Sequence, residues 1–399
     1  MKPSPFARRR ADAREQALRG FSSDASEAVS PGMRVAAAWS WRILVVAAVV
    51  ALVGFLIVQL RDIAVPFFVA VLLAALFVPL KNLLVRHGWP RGLAVALCMV
   101  LLVAIVGGLV TLVVFQVRGE LPSLQRQADI KYHELLTWLQ GPPFELSAKD
   151  IDGYLGQIWT AIQADLGSVL SGALSVGTTA GHVLTGALLV LFSLIFLLLD
   201  GGRIWAWVTG LFPTRARAAI RGAGAVGWGG LSSFVRVQVF VAAVDAVGIG
   251  LGAAILGGVG QWAGWWQTGF PLVIPIAVIV FLASFVPFVG AIVSGAIAVL
   301  VALGYYGVVP AIVMLGIVIL VQQLEAHVLQ PFVIGSAVRV HPLAIVLSVA
   351  AGGFVAGIAG TLFAVPLAVV LSRMIGYLVR QDWRHGDAAA PAAPRGGDR

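Results

Sequence analysis

The sequence predicts an all-α polytopic membrane protein. Three observations carry that reading. Hydrophobic residues fill 60% of the 399 positions and charged residues only 11%, where a soluble domain carries about twice that charge. Several apolar runs reach the roughly 20 residues that a helix needs to cross a bilayer. Arginines sit beside those runs instead of being spread along the chain, which is how orientation is encoded in a membrane protein. The formal charge of +9 therefore reports topology and not nucleic-acid binding. The lone cysteine, Cys98, lies inside an apolar run; it excludes an intramolecular disulfide and a multi-cysteine metal site.

Residues 1–40 are polar and rich in arginine, with Arg8, Arg9, Arg10, Arg14, Arg19 and Arg34. They read as a disordered cytoplasmic tail, too long and without the cleavage site of a signal peptide. Three spans follow within 41–117: Trp41 to Leu60, Ile63 to Leu84 and Leu93 to Val117. Lys81, Arg86 and Arg91 mark the loop between the second and third as cytoplasmic. Residues 118–176 carry seven acids against four bases and belong outside. Leucines recur there at helical spacing, which predicts two amphipathic helices. These either lie in the interface or pack on a neighbouring subunit.

Gly177 to Leu199 is the fourth span. It returns the chain to the cytoplasmic side at Asp200, and the basic segment up to residue 235 follows, with Arg203, Arg215, Arg217 and Arg221 and no acid after Asp200. Arg236 to Gly257 is the fifth span, and the tryptophans Trp262, Trp265 and Trp266 suit the outer interface. Beyond it the apolar stretch 271–303 is interrupted at Pro287-Phe288-Val289-Gly290, leaving two arms of about 15 residues each. Such an arm measures roughly 22 Å, short of a hydrocarbon core of about 30 Å. Residues 342–372 repeat the design around Gly352-Gly353 and Gly357-Ile358-Ala359-Gly360.

A span followed by a broken apolar stretch thus occurs twice in 236–372, and the two copies enter from opposite sides. That is an inverted repeat of re-entrant hairpins, a plan of secondary transporters, and it gives about eight membrane segments in all. The other reading makes both stretches long kinked spans. Both readings leave the tail 373–399 cytoplasmic.

Broken helices at membrane depth expose backbone groups that are tolerated only against protein or a water-filled cavity. Pro287 and Gly290 at the first break, with Gly357 and Gly360 at the second, are therefore candidate contacts for a small polar solute. Small residues that merely allow close helix packing are the competing reading. The helix from Val308 continues without a break into Gln322, Gln323, Glu325 and His327. Intramembrane polar groups are candidates for function by default, although this end of the helix would also be polar if it simply reached water. Asp245 lies about nine residues into an apolar helix; it either binds a cation or proton or pairs with Arg236 or Arg339. Gln238 hydrogen-bonds solute or joins helices. No phosphate-binding Gly-rich loop and no His-Glu-x-x-His motif occurs, so the sequence predicts no enzyme, no cofactor and no metal centre.

Phe285 through Gly290, Gln322 through Pro331 with Gly335 and His341-Pro342-Leu343, and Leu199-Asp200-Gly201 with Leu211-Phe212-Pro213 together resemble the autoinducer-2 exporter family of bacterial permease-like proteins. The resemblance covers roughly residues 40–375. It implies a transporter in the bacterial cytoplasmic (inner) membrane, without nucleotide, exporting the quorum-sensing signal autoinducer-2 or another small polar metabolite. Sodium/proton antiport is a second activity it implies, with homo-oligomers, pentamers among them. A non-transporting membrane scaffold is the alternative outside the transporter class.

Overall fold

A computed structural model describes residues 30–140, 178–266, 269–286, 289–329, 342–381 and 383. The expected leading tail up to residue 29, the expected outer helix around 155–170, Pro287, Gln330 and Arg339 lie outside the described residues. Within them the fold is all-α: α1 (Pro31–Gln59), α2 (Arg61–Arg86), α3 (Arg91–Gln140), α4 (Thr178–Gly210), α5 (Thr214–Trp262), α6 (Val273–Ala283), α7 (Val289–Tyr306), α8 (Val308–Leu324), a π-helical turn (Glu325–Leu329) and α9 (Pro342–Arg380). Seven of these described helices are long and apolar enough to cross a membrane, and α6 and α7 are shorter apolar helices. The protein is a multi-pass membrane protein.

The chain divides into two compact units at Ala64–Val65. The first contains α1, a helix with Pro31 at its first turn and large apolar side chains exposed along it, among them Trp41, Leu44, Val46 and Phe55. Residues 31–40 are helical here, although their polarity placed them in a tail; a helix continues past the hydrocarbon boundary wherever no breaker stops it.

Among the described residues the second unit holds four packing centres, one of them around Ala75, Leu231 and Val235. In another, Ala70, Ala74 and Phe77 of α2 meet Val95, Cys98 and Leu102 of α3 and Leu194 and Leu198 of α4. The 70/74/77 spacing puts the three α2 residues on one helical face. Cys98 is fully buried in this contact and unpaired. In a third, Val349, Ala364, Val365 and Val369 of α9 receive Phe234 of α5. The fourth and largest joins α5 to α6, α7 and α8 through Ile249, Ala253, Ile276, Val280, Ala298, Ala302, Met314 and Val318.

Helix directions follow from paired contacts. Pro66 lies by Gly186, and Lys81 Nζ donates to Leu198 O at 3.0 Å, so α2 and α4 run parallel. Phe68 packs on Phe363, and Val370 on the cluster around Ala75, so the later part of α9 also runs parallel to α2. Positions 222, 227 and 230 of α5 face Tyr377, Met374 and Arg373, so α5 runs the opposite way.

Two helices are longer than their apolar runs. α3 has 50 residues and α5 has 49, each over 70 Å at 1.5 Å per residue. The helix that carries the expected fifth span begins well before Arg236, at Thr214. The Gly-rich stretch before Arg236 is helical, and Ala223, Gly227, Gly230, Leu231 and Ser232 are buried against neighbouring helices.

In both interrupted stretches residues on either side of the break approach closely. A Cβ at Gly290 would collide with the backbone of Ala283, so α6 and α7 meet closely at their break. In α9 the helix is broken at Ala356 and Gly357 (φ 61°, ψ −142° at Gly357). Gly352 and Gly360 face each other so closely that a Cβ on either would strike the other's carbonyl. Val349, Ala364 and Val365, from either side of that break, share one packing cluster.

Candidate functional site

The site forms where α5, the α6–α7 break and the end of α8 converge. α5 lies antiparallel to α6 and to α8: Gly250 faces Ala277, while Gly248 faces Val321 and Gly252 faces Ile317. These glycines let the backbones approach, and the same register carries Asp245 to the end of α6 and to the end of α8.

Asp245 is only 8% exposed. Its Oδ2 lies 3.1 Å from Ser284 Oγ, while Oδ1 is buried with no hydrogen-bond partner. Ser284 Oγ also lies 2.8 Å from Val280 O. One hydroxyl proton serves only one of those two acceptors at a time. Gln238 Nε2 donates to Ser284 O at 2.7 Å, capping a carbonyl freed where α6 ends.

Asp245, Ser284, Ser294, Gln322 and Glu325 contribute the polar wall of a small cavity whose apolar wall is Ile249, Val280 and Val321. Glu325 opens the π-helical turn that ends α8, a distortion frequent at functional sites. Its side chain is half-buried, as is that of Gln322. The polar wall offers oxygen and amide groups and the cavity is narrow, fitting a water molecule, a proton relay or a small cation better than a metal complex. Among the described residues no three His, Cys, Asp or Glu side chains cluster to hold a metal.

The structure thus gathers Gln238, Asp245, Gln322 and Glu325. Gln323 and His327 are exposed, and His327 Nδ1 lies 3.1 Å from Gln323 O of its own helix. Gly290 packs at the α6–α7 break, whereas Gly357 and Gly360 belong to the α9 break and do not line this cavity. Arg236 is exposed and donates Nε to Ser232 O at 3.1 Å, within its own helix. Ser284 and Ser294 were missed by sequence reasoning. Their signal was a hydroxyl on each arm flanking the Pro–Gly break.

Residues 43–380 match the family model described as AI-2E family transporter. The chain belongs to this family. AI-2E relatives of known designation include the Mycobacterium tuberculosis protein named "Putative transport protein MT0215", 38% identical over 88% of this chain and 92% of the relative. YueF of Bacillus subtilis, which carries the same designation, is 25% identical over 79% of this chain and 84% of its own. The Escherichia coli AI-2 transport protein TqsA is 22% identical over 81% of this chain and 90% of its own. The role of the chain is transport.

Proposed function

We propose that this AI-2E transporter is a secondary carrier that exports a small polar solute by alternating access, with the Asp245 cavity on its path. The observation that carries the reading is the buried Asp245 Oδ1 facing polar groups with no partner of its own. A carboxylate oxygen left unpaired in a protein interior costs stability, and a transient ligand is a reason to keep it. The designation of TqsA as an AI-2 transport protein makes autoinducer-2 the first solute to try.

In this reading residues 236–372 are the moving part, and α6–α7 and α9 are re-entrant hairpins entering from opposite faces. Residues 41–117 form the scaffold and the contact between copies of a homo-oligomer. The membrane in this reading is the bacterial inner membrane, and the arginine placement supports cytoplasmic termini. A proton or sodium ion couples the cycle. The oxygens that Asp245, Ser284, Ser294 and Glu325 bring to the polar wall of the cavity suit a hard cation, which favours sodium/proton antiport as the second reading.

The test is transport by the purified full chain in proteoliposomes under an imposed pH or sodium gradient, with autoinducer-2 or sodium as the probe. Asp245→Asn with Glu325→Gln is expected to lower gradient-driven flux at least tenfold. Unchanged flux in that variant overturns the assignment.

A further inference from the structure

We propose that the turn joining α4 to α5 is a docking surface for anionic phospholipid headgroups. The helix directions bring one set of ends together. The C-terminus of α2, the kink of α4 at Asp200, the start of α5 and the end of α9 all lie at the same end of the second unit. Arg86 lies five residues beyond Lys81 and Arg203 five beyond Leu198, the pair joined by hydrogen bond. Arg221 faces the same end from α5, one residue before the Gly222 that meets Tyr377. Arg215, Arg217 and Arg380 complete the group. Across 81–91, 201–236 and 373–380 there is no acid at all. Asp200, at the kink, is held by Arg203 at 3.0 Å.

Apolar side chains stand exposed within this basic zone. Trp207 is 69% and Leu211 70% exposed, with Phe212 and Trp89 also at the surface. The turn is held in shape: Arg217 donates Nε to Phe212 O at 2.9 Å and Nη2 to Gly210 O at 2.8 Å. Below it, Trp205 and Tyr377 fill the space over Gly224 and Gly222. A fixed turn that presents tryptophan, leucine and phenylalanine among arginines has the composition of an interfacial element: rings and chains at the acyl boundary, guanidinium groups at phosphates. It is continuous with the membrane-crossing parts of α4 and α5, so the bilayer is the surface that reaches it. Its charge selects anionic over zwitterionic lipid.

The experiment uses the full chain in vesicles with and without phosphatidylglycerol in phosphatidylcholine. Leu211→Cys in a Cys98→Ala background carries an environment-sensitive fluorophore. Quenching by spin-labelled lipid, with protection from aqueous iodide, is the expected result; quenching by iodide alone overturns the proposal. Spin-labelled phosphatidylglycerol is expected to associate in preference to phosphatidylcholine. That preference should fall about fivefold for each arginine removed in Arg215→Gln and Arg221→Gln at low salt, and persist in the lysine variants. Equal association of the two lipids with the native chain overturns it. So does displacement of phosphatidylglycerol by soluble glycerol phosphate, which marks a free-phosphate site. Arg217 is left intact because it shapes the turn.

Discussion

Asp245 sits where a hydrophobic side chain would pack without leaving an oxygen unpartnered. Its amide counterpart keeps the shape and the Ser284 contact, so Asp245→Asn should leave thermal stability in detergent within about 1 kcal/mol of the native chain. Any loss of transport would then belong to function and not to folding. Gly257 shows the opposite case. A Cβ there meets the backbone of Phe270, and such overpacking costs about 1–3 kcal/mol. Gly257→Ala should therefore lower the melting temperature in detergent and leave the Asp245 cavity chemistry untouched. At this scale Gln238, Asp245, Gln322 and Glu325 were legible, because polar groups in apolar runs stand out. Gln323 and His327 stood out equally and face elsewhere. Residues 322 and 325 share one face and 323 and 327 another, and only packing decides which face meets α5. Ser284 and Ser294 were hidden because a serine in an apolar helix commonly hydrogen-bonds its own backbone.

The breaks in α6–α7 and α9 were legible from proline and glycine chemistry, which ends helices wherever it occurs in short apolar runs. Gly357 adopts φ 61°, a region paired there with a ψ that only glycine tolerates well. Gly357→Ala should cost about 1–3 kcal/mol. Gly352→Val should do at least as much harm by parting the arms where they touch at Gly360. Both are checked by thermal unfolding of the purified protein. If Gly352→Val is neutral, the arms do not lie together in the membrane. The continuity of α3 and α5 was not legible. A change from apolar to polar sequence marks the edge of the lipid, not the end of a helix. The glycines from 222 to 230 lie in the basic segment ahead of the expected fifth span, yet they are helical, and Tyr377, Met374 and Arg373 of α9 fill the room they leave.

At the scale of the molecule, the sequence was informative about class because a bilayer imposes the composition. It was silent about which helices meet, since α5 contacts α6, α8 and α9 through small residues that carry no partner-specific pattern. The fold puts the Asp245 cavity at the break between α6 and α7, between helices held by glycine contacts on one side and by a π-helical turn on the other. A carrier must open such a cavity to water from each face in turn. Cysteine accessibility tests this most directly. In a Cys98→Ala background, Gln322→Cys is treated with a small membrane-impermeant thiol reagent from either side of oriented vesicles. Labelling from both sides, each suppressed when a gradient holds the carrier facing the other way, is the result predicted. No labelling from either side, in a protein that still transports, contradicts the cavity as the path.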